Sequence, residues 1–349
     1  MRRLGPLAGR FALGLTLGLG LATAAPAAET LVIAGSGGVV QTALDDAFNK
    51  PFTADTGIEI KSVEPWSLAK IKTMVESGNV EWDASELDGP TLILGANAGY
   101  LEKLDWSKID PNNVLPSLAK LEYGFVPSVY STVMGYRTDK FPAAPATWAD
   151  FWDTAKFPGG RALQNTPQVN LEIALIADGV AKEDVYKVLA TPEGIDRAFA
   201  KLDEIKPAIV KWWAAGAEPP QMLAAGEVVM TTAWNGRITT LKREGGKVEI
   251  AWNGAMNLTY FAIVKGSKHK DLVEQYFASY LIPERAAAFA KAIPYPGFVP
   301  GLENHLDAAM LAEMPTAPAN MAGQFALDDA FWAANLEALT ERWNTWLLE

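Results

Sequence analysis

The chain contains no cysteine. That absence excludes thiol nucleophiles, a disulfide scaffold and cysteine-ligated zinc, and it suits an oxidising compartment in which unpaired thiols are a liability. Histidine is almost as scarce, with His269 and His305 as the two copies. Histidine is the commonest general base and a frequent transition-metal ligand, so its scarcity argues against most hydrolases and metal enzymes. His269 lies in the charged stretch Gly266-Ser267-Lys268-His269-Lys270 and His305 in a turn before a helical stretch, so both read as solvated residues. Positive charge is in deficit: 30 Lys and Arg against 41 Asp and Glu give a net charge of -11. Nucleic acid and anionic membranes are therefore not expected partners. No catalytic residue, metal or cofactor is expected from this composition.

The chain also lacks an apolar run long enough to span a bilayer. Its most apolar stretch, Phe11 to Ala22, is too short for that. It follows Arg2, Arg3 and Arg10 and precedes the small residues Ala25-Pro26-Ala27. This is the pattern of a secretory signal, expected over residues 1–27, with the exported chain starting at Ala28 or Glu29. The expected location is the periplasm.

What remains is a long chain for one core. With 349 residues, 49% of them hydrophobic, two domains are expected. Apolar strands alternate with amphipathic helices: a strand at 30–34, a glycine turn at 35–38, a helix from 40, a strand at 57–63, a helix at 67–77, a strand ending at Asp88 and a helix at 91–98. This order predicts an α/β fold with mainly parallel sheets, flanked by helices and joined by right-handed crossovers. A strand at 130–137 leaves this first set, a second α/β set follows, and the strand at 260–264 returns. The expected division is 28–137 plus 261–298 for a first lobe and 138–260 plus 299–349 for a second, with a cleft between them. Ligands in such sheets sit beyond the carboxyl ends of strands.

Candidate binding residues fall at those strand ends. Ser36, Gly37 and Gly38 can offer backbone N–H groups to an anionic oxygen, or simply make a tight strand-to-helix turn. Ser36 is a poor nucleophile candidate, because Ala34 breaks the G-x-S-x-G pattern. Trp234-Asn235-Gly236-Arg237 follows the strand Glu227 to Ala233 and opens a helix. There Trp234 can stack on a ligand and the Arg237 fork fits a carboxylate, or the two can pack the lobe and pair with a surface acid. Asp88, with Glu86 beside it, offers the complementary charge, although Asp before Gly-Pro also forms turns. Tyr130, Thr166, Asn257, Thr259 and Tyr295 are polar or aromatic residues near predicted strand ends. Trp148, Trp152, Trp343 and Trp346 read as packing anchors.

Several stretches resemble the spermidine/putrescine-type extracellular solute-binding proteins of ABC importers. They are Val32 to Phe48, Thr56-Gly57-Ile58-Glu59-Ile60, Thr147 to Trp152, Ala225 to Gly236 and Ile293-Pro294-Tyr295-Pro296. The resemblance implies two α/β lobes of the type II binding-protein fold, joined by a hinge and closing on one small solute. It also implies a monomer that delivers the solute to a permease and ATPase, with Trp234 and Tyr295 lining the cleft. The chain departs from the polyamine pattern where acids would grip ammonium groups: the matching positions near Thr166, Val169 and Thr259 are not acidic. Arg237 stands where γ-aminobutyrate-binding relatives place an arginine on the ligand carboxylate. An arginine in a cleft short of acids repels a polycation. The favoured solute is therefore a small zwitterion or carboxylate, with Arg237 and the 35–38 amides at its anionic end. Asp88, Trp234 and Tyr295 would take its cationic end. The alternatives are a polyamine binder, a secreted α/β hydrolase using Ser36, and a ferric-ion binder, which would want an adjacent tyrosine pair.

Overall fold

The computed structural model describes Met1 and residues 29–349; the signal-peptide reading lies, Met1 apart, outside the described residues. The nine strands among the described residues are β1 (Thr30–Ala34), β2 (Glu59–Val63), β3 (Ala84–Leu87), β4 (Phe125–Arg137), β5 (Arg161–Gln164), β6 (Ile209–Trp213), β7 (Met230–Trp234), β8 (Val248–Ile263) and β9 (Phe325–Ala326). They form one sheet in the order β2-β1-β3-β8-β4-β7-β5-β6, with β9 beside β8. The outer strands are parallel: β1 pairs with β2 and β3, and β5 with β6 and β7. The centre is antiparallel, β8 pairing with β3 and β4, and β4 with β7. The result is two parallel wings, each needing a helix crossover between its strands, sewn together by two long strands.

Apolar side chains gather into separate cores on the two wings. The first includes Leu31, Phe48, Phe125, Val129, Tyr260 and Phe277. The second includes Met134, Trp148, Leu171, Trp332 and Trp343, with a smaller cluster of Val133, Trp213 and Ile238 beside it. Strand β4 passes from Val129 in the first core to Met134 in the second, and β8 from Ala255 in the second to Tyr260 in the first. Between these points the β4–β8 register slips: Thr132 opposes Ala255 while Met134 opposes Ala251. Gly254 sits in the slip, where a Cβ would fall 1.8 Å from the Thr132 carbonyl oxygen. A bulge bends and twists its strand, and this one lies where the cores meet.

The chain crosses a third time further on than the sequence division placed it. Val299, Leu302 and Met314 pack in the first core, and the second core resumes at Phe325. The expected division falls at 298/299, but the loop at 296–301 returns its apolar residues to the core it left. Gln324 ties the real crossing down, donating from Nε2 to the Pro315 carbonyl (2.9 Å) and accepting from Ser131 Oγ on β4. The terminal helix, Asp329–Leu348, then buries Trp332, Leu339, Trp343 and Trp346. Three of its indoles also bond polar partners: Trp332 to Glu172 (2.7 Å), Trp343 to Asn165 (3.0 Å) and Trp346 to Asp203 (2.7 Å). Trp148 is likewise an anchor, buried with its indole on the Asn253 carbonyl (2.8 Å).

Candidate functional site

The Trp234–Arg237 corner lies between the cores, where β7 ends and the helix Asn235–Arg243 begins. Each of its four residues has a separate task. Trp234 lies edge-on to Trp213 (5.8 Å) and to Tyr130 of β4 (6.0 Å). Its indole rests on Gly216, where a Cβ would come 2.3 Å from the ring, so that position admits no side chain without moving the tryptophan. Asn235 is fully buried: its Oδ1 accepts from the Ser131 amide (2.8 Å) and its Nδ2 donates to the Pro294 carbonyl (3.0 Å). One side chain thus ties the corner to β4 and to the loop carrying Tyr295. Gly236 provides clearance for that tyrosine, since a Cβ there would lie 2.8 Å from its ring. Arg237 supplies the charge.

Arg237 lines a cleft of about 480 Å³. Thr42 and Asp46 come from the first wing, Gln221 and Thr240 from the second, and Ile293 closes one end. The Arg237 Nε is buried and has no hydrogen-bond partner. Lys242 and Arg243 on the same helix pair with Glu249 and Glu313, each at 2.7 Å, whereas Arg237 enters no ion pair among the described residues. The Tyr295 hydroxyl is in the same position: the residue is 5% exposed and its oxygen has no partner. Burial pushes the Tyr295 phenol well above its usual range, and the nearby Arg237 charge pulls it partly back. A half-buried guanidinium with a sealed Nε and a buried hydroxyl, left open together, are costly unless an anion arrives to meet them.

Acids lie near Tyr130. Tyr130 and Tyr295 lie 5.7 Å apart, ring centre to ring centre. Burial, then the charges of Asp88, Glu86 and Asp329, push the Tyr130 phenol far above its ordinary range. Asp88 caps the helix Gly89–Asn97 by accepting from the Thr91 amide (2.9 Å). Its turn-forming reading therefore holds. Asp329 was passed over in the sequence, because Asp328-Asp329 opening an amphipathic helix reads as a cap and a first-turn acid. Asp328 is indeed the cap, but Asp329 reaches the other wing, accepting from the Tyr260 hydroxyl (2.9 Å). Burial, with the repulsion of Asp88 added to it, pushes the Asp329 carboxyl up to about 6.

The glycine turn does less than expected. The Ser36 amide donates to Glu86 Oε2 (3.0 Å) and its hydroxyl to Oε1 (2.6 Å), so both donors are engaged inside the protein. Burial raises the Glu86 carboxyl above the usual carboxylate range, against the pull of those two bonds. Gly37 and Gly38 have φ of 75° and 61°; a Cβ on Gly37 would overlap the Glu64 carboxylate, so its smallness serves packing. Ser36, whose two donors are held by a buried acid, is thereby not free to meet the anionic end of a solute. Asn257 is likewise turned inward, donating to Thr132 Oγ1 (3.2 Å) and the Ala255 carbonyl (3.1 Å) within the β4–β8 ladder. Thr259 stands opposite Ser128 in that ladder, and Thr166 lies in the loop after β5, its carbonyl accepting from Asn170 (2.7 Å). The structure brings Tyr130, Trp234 and Tyr295 together with Arg237 beside them, sets Asn257 opposite Tyr130 on β8, and leaves Thr166 in the loop after β5. His269 faces Asp83 (3.1 Å) and His305 faces Glu284 (3.5 Å), and both rings are half-buried instead of fully solvated.

Comparison with known proteins gives the same picture. Residues 47–320 match the bacterial extracellular solute-binding protein family. The γ-aminobutyric acid-binding protein of Pseudomonas aeruginosa is 43% identical over 333 residues, 94% of each chain. Among solved structures, an ABC transporter substrate-binding protein of Bradyrhizobium japonicum is 36% identical with a TM-score of 0.84, over 91% of this chain and 99% of that one. The Atu4243 GABA receptor is 34% identical with a TM-score of 0.83, over 91% and 97%. MotA of Agrobacterium tumefaciens, in complex with glucopine, is 30% identical with a TM-score of 0.82, over 91% and 99%.

Proposed function

Because the chain belongs to the bacterial extracellular solute-binding protein family, as the solute-binding component of an ABC importer, we propose that its solute is a small γ-amino acid of the γ-aminobutyrate type. The observation that carries this reading is Arg237, a half-buried guanidinium in the cleft between two cores, without a partner and beside the unpartnered Tyr295 hydroxyl. A carboxylate accepts the planar fork bidentately and the phenol adds a third donor. Trp234 and Tyr130 form the apolar wall for the short methylene chain, and the acids beyond Tyr130 take the amine. The same binding is the named property of the Pseudomonas aeruginosa relative and of the Atu4243 receptor.

The work of such a protein is capture, closure and delivery. Contacts from both lobes bias the closed state by their differential free energy, and the β4–β8 bulge and Gly254 lie where a change of angle between the cores is absorbed. The closed, loaded monomer then docks on the permease and its ATPase from the periplasmic side. A polyamine would bring two or more ammonium groups against Arg237, a like-charge juxtaposition that disfavours it.

Thermal-shift and calorimetric titration of the purified chain against γ-aminobutyrate, α-amino acids, betaines, putrescine and spermidine tests the reading. Ligand at about 100 times its Kd adds about 2.7 kcal/mol of stability, a visible rise in Tm. The expected result is a rise with γ-aminobutyrate that vanishes in Arg237→Ala. A rise with putrescine or spermidine alone overturns it.

A further inference from the structure

We infer that the lobes close by docking one helix between two others: the first-lobe helix Gly38–Leu44 enters a groove between the second-lobe helices Glu218–Ala225 and Asn235–Arg243. This contact involves no solute atom, so it strengthens every solute by the same factor while it seals Arg237 from water. The inference rests on the cleft as the solute site and not on which solute fills it.

Three helices line the cleft of about 480 Å³, and each does so with residues spaced i, i+3, i+4 and i+7, one face of a helix. From the first lobe come Val39, Thr42, Ala43 and Asp46. The helix Glu218–Ala225 and the residue before it present Ala217, Pro220, Gln221 and Ala224. The helix Asn235–Arg243 and the residue after it present Arg237, Thr240, Leu241 and Glu244. The backs of these helices are committed elsewhere: Leu44 is buried in the first core, and Met222, Leu223 and Ile238 in the small second-lobe cluster. Each core therefore fixes which face its helix turns to the cleft.

The side chains on these faces suit a docking contact. Val39 is 53% exposed, a large apolar side chain left to solvent at the rim of the cleft. Across the cavity are Ala217, Pro220, Ala224 and Leu241, compact or apolar, which let helix axes come within the roughly 8–10 Å of packed helices. An exposed valine on one lobe and an apolar groove on the other both shed water when the lobes meet. Arg237 lies one turn from Leu241 on the same face, so the helix that covers the leucine covers the guanidinium too. A carboxylate held there is bound more strongly once water is excluded. A contact that favours the closed state without touching solute multiplies all affinities alike, whereas a residue touching solute changes one affinity against another.

Because the chain has no cysteine, an introduced pair reports the contact without background. A disulfide needs Cα atoms within about 7 Å. Val39→Cys combined with Ala217→Cys or with Ala224→Cys is expected to cross-link in the empty protein within hours under mild oxidant. Val39→Cys combined with Ala225→Cys, an exposed neighbour outside the cleft lining, is not. No cross-link to either cleft residue, or an equal yield with Ala225→Cys, overturns the inference. Calorimetry of Val39→Ser with γ-aminobutyrate and δ-aminovalerate supplies the energetic half: both Kd values should rise by about fivefold and keep their ratio. A change for one solute alone makes Val39 a solute contact, and no change for either makes the docking idle; each result overturns the inference. If neither amino acid binds the wild type, the γ-amino acid reading fails, and the cross-links of the empty chain still decide the docking.

Discussion

The two ends of the proposed site are built on opposite principles. At the Arg237 end, polar atoms are buried and unpartnered: the Arg237 Nε and the Tyr295 hydroxyl have no bond inside the protein. At the acid end every carboxylate already has one, Glu86 to Ser36, Asp88 to Thr91 and Asp329 to Tyr260. A group with no partner in the empty protein gains the full value of a new bond when a ligand arrives, whereas a group that is already bonded gains the difference. Affinity should therefore concentrate at the Arg237 end, and the acid end should grade one amine against another. Clearance is arranged to match: Gly236 and Gly216 hold room for Tyr295 and Trp234, the aromatic residues nearest the arginine.

The largest effect should come from removing the open charge. Arg237→Ala is expected to weaken γ-aminobutyrate by about 3 kcal/mol, roughly a hundredfold in Kd, with Tm of the empty protein unchanged or raised. Calorimetry and a melting curve on the same sample check both halves. If affinity holds while Tm falls, Arg237 is a structural residue and the contrast between the ends disappears.

A buried orphan outside the cleft sharpens the same comparison. Glu172, fully buried in the second core, accepts from Tyr186 (2.8 Å) and Trp332 (2.7 Å) on Oε1, while its Oε2 has no partner. Burial pushes its carboxyl up to about 7, against the pull of those donors. The folded state therefore holds this proton more tightly than the unfolded chain does. Its stabilising effect is complete below about pH 4.5 and is lost as pH rises through about 7, on the order of 3 kcal/mol in all. Glu172→Gln, neutral throughout, should flatten that slope in urea melts between pH 5 and 8 and leave solute affinity untouched. An orphan in a core thus costs stability, and an orphan in a cleft confers binding.

Much of this was legible in the residues. Strand β1 and the helices at 68–77, 192–205 and 283–292 follow the apolar periodicity closely. The Trp234–Arg237 corner stands out because a strand, an aromatic, a glycine and a charge meet there in four residues. Less legible were the elements that join the lobes. The first half of β8 reads as Trp252-Asn253-Gly254-Ala255-Met256-Asn257, too polar and too glycine-rich for a buried strand, yet it pairs along β4 because its neighbours bury it on both edges. Strand β6 was missed because Lys211 interrupts its apolar run. Glu86 and Asp329 were undervalued for a common reason: what matters about each is a partner 50 or 69 residues away, and short-range spacing carries no trace of that.

The aromatic wall offers a smaller test. Gly216→Ala puts a methyl 2.3 Å from the Trp234 ring, so the indole must move. Overpacking of this kind costs about 1–3 kcal/mol. Part of that cost should appear as a roughly tenfold loss of affinity, with a shifted tryptophan emission maximum, because the ring that moves is the one facing the solute. Unchanged emission and affinity would place the wall elsewhere.

The smallest expected effect is the most discriminating. Asp88→Asn keeps a side-chain oxygen for the Thr91 amide, and asparagine caps a helix as well as aspartate does. Tm should therefore hold while the charge is lost. Asp88 is half-exposed and already engaged by one bond, so water screens much of what it offers an ammonium. The expected loss is about three- to fivefold in Kd for γ-aminobutyrate. That loss should shrink further as salt is raised from about 0.01 M to 1 M, where the Debye length falls to about 3 Å. The Arg237 contribution, buried on one side and unpartnered, should change far less over the same range. If the two ends respond to salt alike, both are equally solvated and the division between an end that holds and an end that selects is wrong; if Asp88 alone responds, the difference in their partners is what divides the work of the cleft.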